Sequence, residues 1–157
     1  METGAELSLC RTYRYALWRR WSEAPSVLFI MLNPSTADES QDDPTIRRCI
    51  SFARQWGHGG ITVANLFAFR SPYPGDLREA SDPIGPENDQ WLRKLAGQSG
   101  AVVGAWGNHG SYLQRGQAVA AMFPNVQCLG MTKLCQPRHP LYVAADTALR
   151  AMQTNPA

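Results

Sequence analysis

The sequence lacks what would commit it to a bilayer, a disulfide framework or binding by bulk charge. No uninterrupted apolar run exceeds that of Val27 to Leu32, far too short to span a membrane. The N-terminus has no basic region followed by an apolar stretch, so no secretory signal is expected and the expected location is cytoplasmic. Only four cysteines occur, Cys10, Cys49, Cys128 and Cys135, scattered and without a C-x-x-C pair. In a reducing compartment they are expected as buried or half-buried thiols. Fifteen Lys+Arg against thirteen Asp+Glu leave a charge of +2, which excludes histone-like binding. A single basic face remains compatible with that balance.

Motifs are also missing. No serine sits in G-x-S-x-G, which argues against an α/β-hydrolase elbow. There is no P-loop and no G-x-G-x-x-G after a strand, which argues against NTPase and dinucleotide readings. Cys135-x-x-x-His139 with His58 or His109 does not have zinc spacing, so no metal and no cofactor are expected.

What is present is one domain's worth of chain. The 157 residues are 44% hydrophobic and 18% charged, without repeats, low-complexity tracts or a dividing linker, so residues 1–157 are read as a single domain. Residues 12–21 are aromatic-rich and alternate loosely, predicting an edge strand or hairpin arm. Ser26 to Leu32 is a continuous β-branched and aliphatic run, the pattern of a strand buried on both faces.

Asp43-Pro44 reads as an N-cap with proline at the first helical position, followed by apolar residues at Ile46, Cys49, Ile50 and Ala53. Further strands are expected at Ile61–Leu66, Ala101–Ala105 and Val126–Met131, and helices at Glu87–Leu95, Ser111–Met122 and Asp146–Met152. Such alternation predicts a three-layer α/β/α sandwich, with a mostly parallel sheet of about four strands plus an N-terminal edge strand or hairpin. Ligands in such sheets bind beyond the carboxyl ends of the strands.

Those ends carry amides, hydroxyls, aromatics and cations: Asn33-Pro34-Ser35-Thr36, then Asn65 with Phe67, Phe69, Arg70 and Ser71, then Trp106 to Gly110, then Lys133 and Arg138 to Tyr142. An asparagine side chain offers one donor group and one acceptor, matching the edge of a nucleobase.

Leu28-Phe29-Ile30-Met31-Leu32-Asn33-Pro34-Ser35 resembles the first motif of the uracil-DNA glycosylase superfamily, whose mismatch-specific and thymine-DNA branches carry Asn-Pro after such a strand. Thr62 to Pro72 is similar to the second strand motif of its iron–sulfur branches, where an asparagine at the position of Asn65 reads the base. Ala101 to Ala105 matches the next strand, and Arg138-His139-Pro140-Leu141-Tyr142 resembles the closing His-Pro motif that enters the minor groove. The likeness runs from about Val27 to Tyr142. The string Leu32 to Asp38, with Asp43-Pro44-Thr45-Ile46, is closer still to a bacterial and phage family of unknown function. Departures from the superfamily are an amide at Asn33 where an acidic residue activates water, Leu141 where serine contacts phosphate, and cysteines that do not reproduce the cluster spacing.

The resemblance implies a DNA glycosylase acting on a flipped, possibly modified base. Asn33 would hold the water, Asp38 would serve as base or electrostatic stabiliser, and His139 would donate to the leaving base. Asn65 would read the base beside Phe67. Leu141 or Tyr142 would wedge into the gap, and Ser35, Thr36, Arg70, Ser71, Lys133 and Arg138 would bind phosphates. DNA, single-stranded or carrying modified bases, is the expected partner of a monomer.

Each residue has a plainer reading: Asn33 in an Asx turn, Asn65 satisfying loop backbone, Asp38 as a cap, His139 as a structural histidine. At least one of Phe67 and Phe69 is expected in the core, and Arg47 and Arg48 on a solvated helix face. The rival functions are an enzyme on a free nucleoside or nucleotide and a non-catalytic DNA-binding module.

Overall fold

A computed structural model describes residues 1–152 of the chain. The predicted sandwich on a mostly parallel sheet is overturned. The chain builds one seven-stranded mixed sheet, antiparallel at both edges, in the order β1-β2-β4-β3-β5-β6-β7. The strands are β1 Glu2–Leu7, β2 Arg14–Arg20, β3 Ser26–Met31, β4 Gly60–Asn65, β5 Ala101–Gly104, β6 Gln127–Cys128 and β7 Arg150–Ala151. Pairs β1/β2, β2/β4 and β6/β7 are antiparallel, and β3/β4, β3/β5 and β5/β6 parallel.

Two segments account for the difference. Residues 2–7 carry no apolar alternation and still form a strand, because backbone pairing with β2 does not need it. That addition makes β2 an interior strand rather than an edge. At the other end, Arg150–Ala151 pairs with β6 where a closing helix was expected.

Three helices pack on the sheet: α1 Pro44–Gln55, α2 Asn88–Gly97 and α3 Arg115–Met122. In α1, Asp43 accepts from Ile46 N–H and Pro44 opens the first turn, as the sequence predicts. Its apolar stripe of Ile46, Cys49, Phe52 and Ala53 meets Leu17, Val27, Phe29, Ile61 and Val63 on one face of the sheet. Fully buried Phe29 and Phe52, both stacked on Trp56, contribute roughly 1.5–3 kcal/mol each. The other face buries Leu28, Ile30, Ala64 and Leu66 under Leu92 and Leu95 of α2 and Val119 of α3. Helix α3 starts later than predicted, because Leu113 and Gln114 adopt left-handed backbone that breaks the preceding turn.

One irregularity bears on the site. The β1/β2 register shifts between Glu6 and Leu7, leaving Tyr15 without an opposite residue. Ala16 belongs to the α2-side core, and Tyr15 stacks on Trp91 of the same side. The alternation of side chains therefore breaks, and Arg14 reaches the α1 side, where its Nη1 donates to the Ala37 carbonyl at 2.8 Å.

Among the described residues, no helix is long and apolar enough to cross a membrane. Among them too, no group of three His, Cys, Asp or Glu is placed to hold a metal ion. Cys49 and Cys128 are buried, but Cys10 and Cys135 are exposed, against the expectation for all four.

Candidate active site at the carboxyl edge of the sheet

The four parallel strands, in spatial order β4-β3-β5-β6, send their carboxyl ends to one edge. The chain leaves β3 toward β4 on one side, while β5 flanks it on the other, so a crevice opens beyond β3. It holds a cleft of about 780 Å³, within the range of small-molecule sites. Met31, Leu32 and Asn33 line it from β3, Val63 and Asn65 from β4, Trp106 to His109 after β5, and Thr132 and Lys133 after β6. Arg14, the first turn of α1 and the segment bearing His139 complete the wall. A groove of similar volume at the opposite edge has no buried polar side chain in its wall, and that decides between the two.

Asn65 lies at the cleft floor, 1% exposed, and neither its Oδ1 nor its Nδ2 has a hydrogen-bond partner. A buried amide in that condition costs about 1–3 kcal/mol per unmet group, so the loop-satisfying reading of Asn65 fails. The neighbouring Asn88 differs in its nitrogen, since its Nδ2 donates to the carbonyls of Asn65 and Leu66 while its Oδ1 has no partner.

Asn33 is half-buried, and its Nδ2 donates to Ser71 O at 2.9 Å and to Pro34 O at 3.2 Å. Three carbonyl contacts fix which atom is nitrogen and leave Oδ1 as the acceptor available to the cleft.

His139 lines the cleft half-buried, and its Nδ1 accepts from Leu141 N–H at 3.1 Å. The neutral ring therefore carries its proton on Nε2 and acts as a donor there. Burial pushes the imidazole below its ordinary value, opposed by the carboxylate of Asp43. The short turn Pro140–Tyr142 beyond it is held by Arg48 of α1, which donates to the carbonyls of Pro140 and Val143. Arg48 is thus a strut and not a solvated side chain.

The structure corrects several expected site residues. Asp38 does not line the cleft: its Oδ1 accepts from Ser40 and Gln41 N–H in a turn, and these bonds hold its carboxyl below the usual range. Phe67 is fully buried in the α2-side core against Tyr112, so it offers no face to a ligand. Thr36 and Arg70 lie outside the cleft wall, and Arg70 donates to Arg11 O. Leu141 is exposed but outside the wall too. Ser71 lines the cleft, yet its hydroxyl donates to the Asp76 carboxylate and accepts from Tyr73 N–H, which removes it as a phosphate donor. Ser35, Lys133, Arg138 and Tyr142 do line the cleft with Asn33, Asn65 and His139.

Two residues of the wall escape a reading confined to strand ends. Asp43, read only as a cap, uses Oδ1 for Ile46 N–H and faces the cleft beside Thr45. Its signal was present, since a helix that follows a parallel strand begins at the carboxyl edge. Arg14 arrives from antiparallel β2, and only the bulge brings it there. Trp106 forms another wall, with Nε1 donating to Gln136 at 2.9 Å. Its ring needs glycine beside it: a Cβ on Gly110 would lie 2.0 Å from the indole.

A model of the family described as "Protein of unknown function (DUF1643)" matches residues 14–141. Neither the curated proteins nor the solved structures contain a match to the chain. The matched span begins at Arg14 and takes in Asn33, Asp43, Asn65 and His139, so it covers the cleft except for Tyr142 at its rim. The chain belongs to the DUF1643 family, whose function is unknown.

Proposed function

We propose that this chain binds nucleic acid and hydrolyses the N-glycosidic bond of a base presented outside the helical stack, in the cytoplasm and as a monomer. The observation that carries this reading is Asn65: a buried, unpartnered amide at the floor of a nucleotide-sized cleft, offering a donor and an acceptor together. A base edge satisfies both and removes the cost of leaving them unmet.

The remaining wall supports the same chemistry. Glycosidic cleavage places positive charge on the sugar and negative charge on the departing base. His139, neutral and protonated at Nε2, is a suitable donor to the base. Asp43 replaces Asp38 as the carboxylate near the developing cation. Asn33 Oδ1 orients a water but does not deprotonate it, so the bond must break largely before water attacks. Tyr142, exposed and beside the His139 ring at 5.3 Å, takes the stacking role that Phe67 cannot fill.

A free nucleoside or nucleotide is the second reading. With Thr36, Arg70 and Ser71 removed, the phosphate-binding rim shrinks to Ser35, Lys133 and Arg138. That footprint suits a single strand or a mononucleotide better than a duplex.

The test is base release, scored by mass spectrometry. Substrates are single- and double-stranded oligonucleotides and free nucleosides carrying uracil, mismatched thymine, hypoxanthine or 5-substituted pyrimidines. Release is expected to fall about 100-fold or more in Asn65→Leu and His139→Gln. Wild-type chain that releases no base from any of these sinks the reading.

A further inference from the structure

Three arginines are buried: Arg14, Arg19 and Arg115. Arg19 meets Asp42 at 2.7 Å, and Arg115 meets Asp89. Among the described residues Arg14 has no ion pair. It is 2% exposed, only Nη1 is satisfied by a protein group, and Nε has no partner. Burial pushes its guanidinium down to about 10, so it carries its charge at neutral pH. The carboxylates of Asp43 and Asp38 favour its charged form without reaching ion-pair distance, and Arg70 and Arg19 oppose it. A buried cation without a direct ion pair is costly, and the cost is relieved when an anion reaches it.

The surroundings favour that anion. Arg14 lines the cleft together with Thr45 of the first turn of α1. Pro44 has no N–H, and Asp43 caps Ile46, so Thr45 N–H is the remaining donor of that turn at the positive end of a twelve-residue helix. The wall carries three cations, Arg14, Lys133 and Arg138, against one carboxylate, Asp43.

We propose that Arg14 and the Thr45 amide form an oxyanion subsite inside the cleft, which holds an anionic oxygen group of the substrate. The group is a phosphate next to the scissile nucleoside or a carboxylate on the base itself. The identity of this substrate rests on the reading above, but anion binding by Arg14 does not.

The first measurement is the thermal midpoint of the full chain with inorganic phosphate titrated against chloride at constant ionic strength. Wild type is expected to gain several degrees. Arg14→Met is expected to show no phosphate response, with a midpoint in chloride at or above the wild type's. Arg14→Lys is expected to retain part of the response. A wild type that ignores phosphate overturns the proposal. So does an Arg14→Met chain that responds like wild type, or one that is destabilised equally with and without phosphate.

The second measurement compares binding of a pyrimidine nucleoside, its 5′-monophosphate and its 5-carboxy derivative. A tenfold preference for either anionic ligand, lost in Arg14→Met, supports the subsite and names the source of the anion. Equal affinity for all three overturns it. Base release from the 5′-monophosphate and the 5-carboxy derivative at the same rate in Arg14→Met as in wild type removes the subsite and leaves the glycosidic reading standing. A phosphate response without base release from any substrate does the reverse.

Discussion

Arg14 and Arg19 occupy the same strand and are equally hidden from solvent, yet the fold treats them differently. Arg19 donates to the Asp42 carboxylate and to the carbonyls of Trp18, Asp38 and Gln41, pinning the loop that leads into α1. Arg14 makes one bond to Ala37 and faces the cleft with donors to spare. Asn88 and Asn65 repeat the contrast: Asn88 spends its amide nitrogen on the end of β4, and Asn65, at that end, spends nothing. Burial alone does not separate scaffold from site. The separation lies in whether the fold uses the group's donors.

The contrast breaks most easily where the expected cost is largest. Arg19→Met leaves Asp42 and three carbonyls without their donor, and a loss of about 3 kcal/mol is expected from urea unfolding. Arg14→Met is expected within about 1 kcal/mol of wild type. Equal losses for the two would abolish the distinction.

Asn88→Leu should cost about 2 kcal/mol, because it removes the side-chain donor to the Asn65 carbonyl and one of two to that of Leu66, which keeps Arg115 Nε. Asn65→Leu should leave stability unchanged or raise it by about 1 kcal/mol, since it removes an unmet amide at nearly constant volume. The same urea titrations measure both, and an Asn65→Leu loss matching Asn88→Leu would show that the amide serves the fold.

A smaller effect follows from His139. Burial holds its folded value below the ordinary histidine value, so the unfolded chain binds the proton more readily. Its contribution is full above about 6.5 and declines as pH falls through that value toward the lower folded one. Urea midpoints at pH 7 and pH 5 should differ by less in His139→Gln than in wild type.

The smallest effect lies outside the core. Hydrogen bonds with Thr12 and Ser8 bring exposed Cys10 down to about 7, while burial pushes Cys49 and Cys128 up. At pH 7.5, alkylation mapped by peptide mass should reach Cys10 first and leave Cys49 and Cys128 unmodified. Modification of Cys49 ahead of Cys10 would contradict the packing under α1.

The central elements were legible because their signals are local. The apolar run from Ser26 and the Asp43-Pro44 cap state a buried strand and a helix start in consecutive residues. The sheet edges were not legible, since Glu2–Leu7 is polar and Arg150–Ala151 very short, and both are strands only by pairing. Asn33, Asn65 and His139, which line the cleft, were legible as candidates because they follow strands or sit in a recognisable string. Arg14 was hidden by long-range register: nothing in Thr12 to Trp18 announces that Tyr15 is the extra residue. Asp38 and Asp43 were distinguishable only by which turn each carboxylate closes.

Arg48 has a mechanical consequence. It stands on α1, whose first residues carry Asp43 into the cleft, and it grips the turn beyond His139 by two carbonyls. Carboxylate and imidazole, remote in the chain, are therefore tied together through one side chain. The spacing between the two groups thus depends on a guanidinium that itself lies outside the cleft wall.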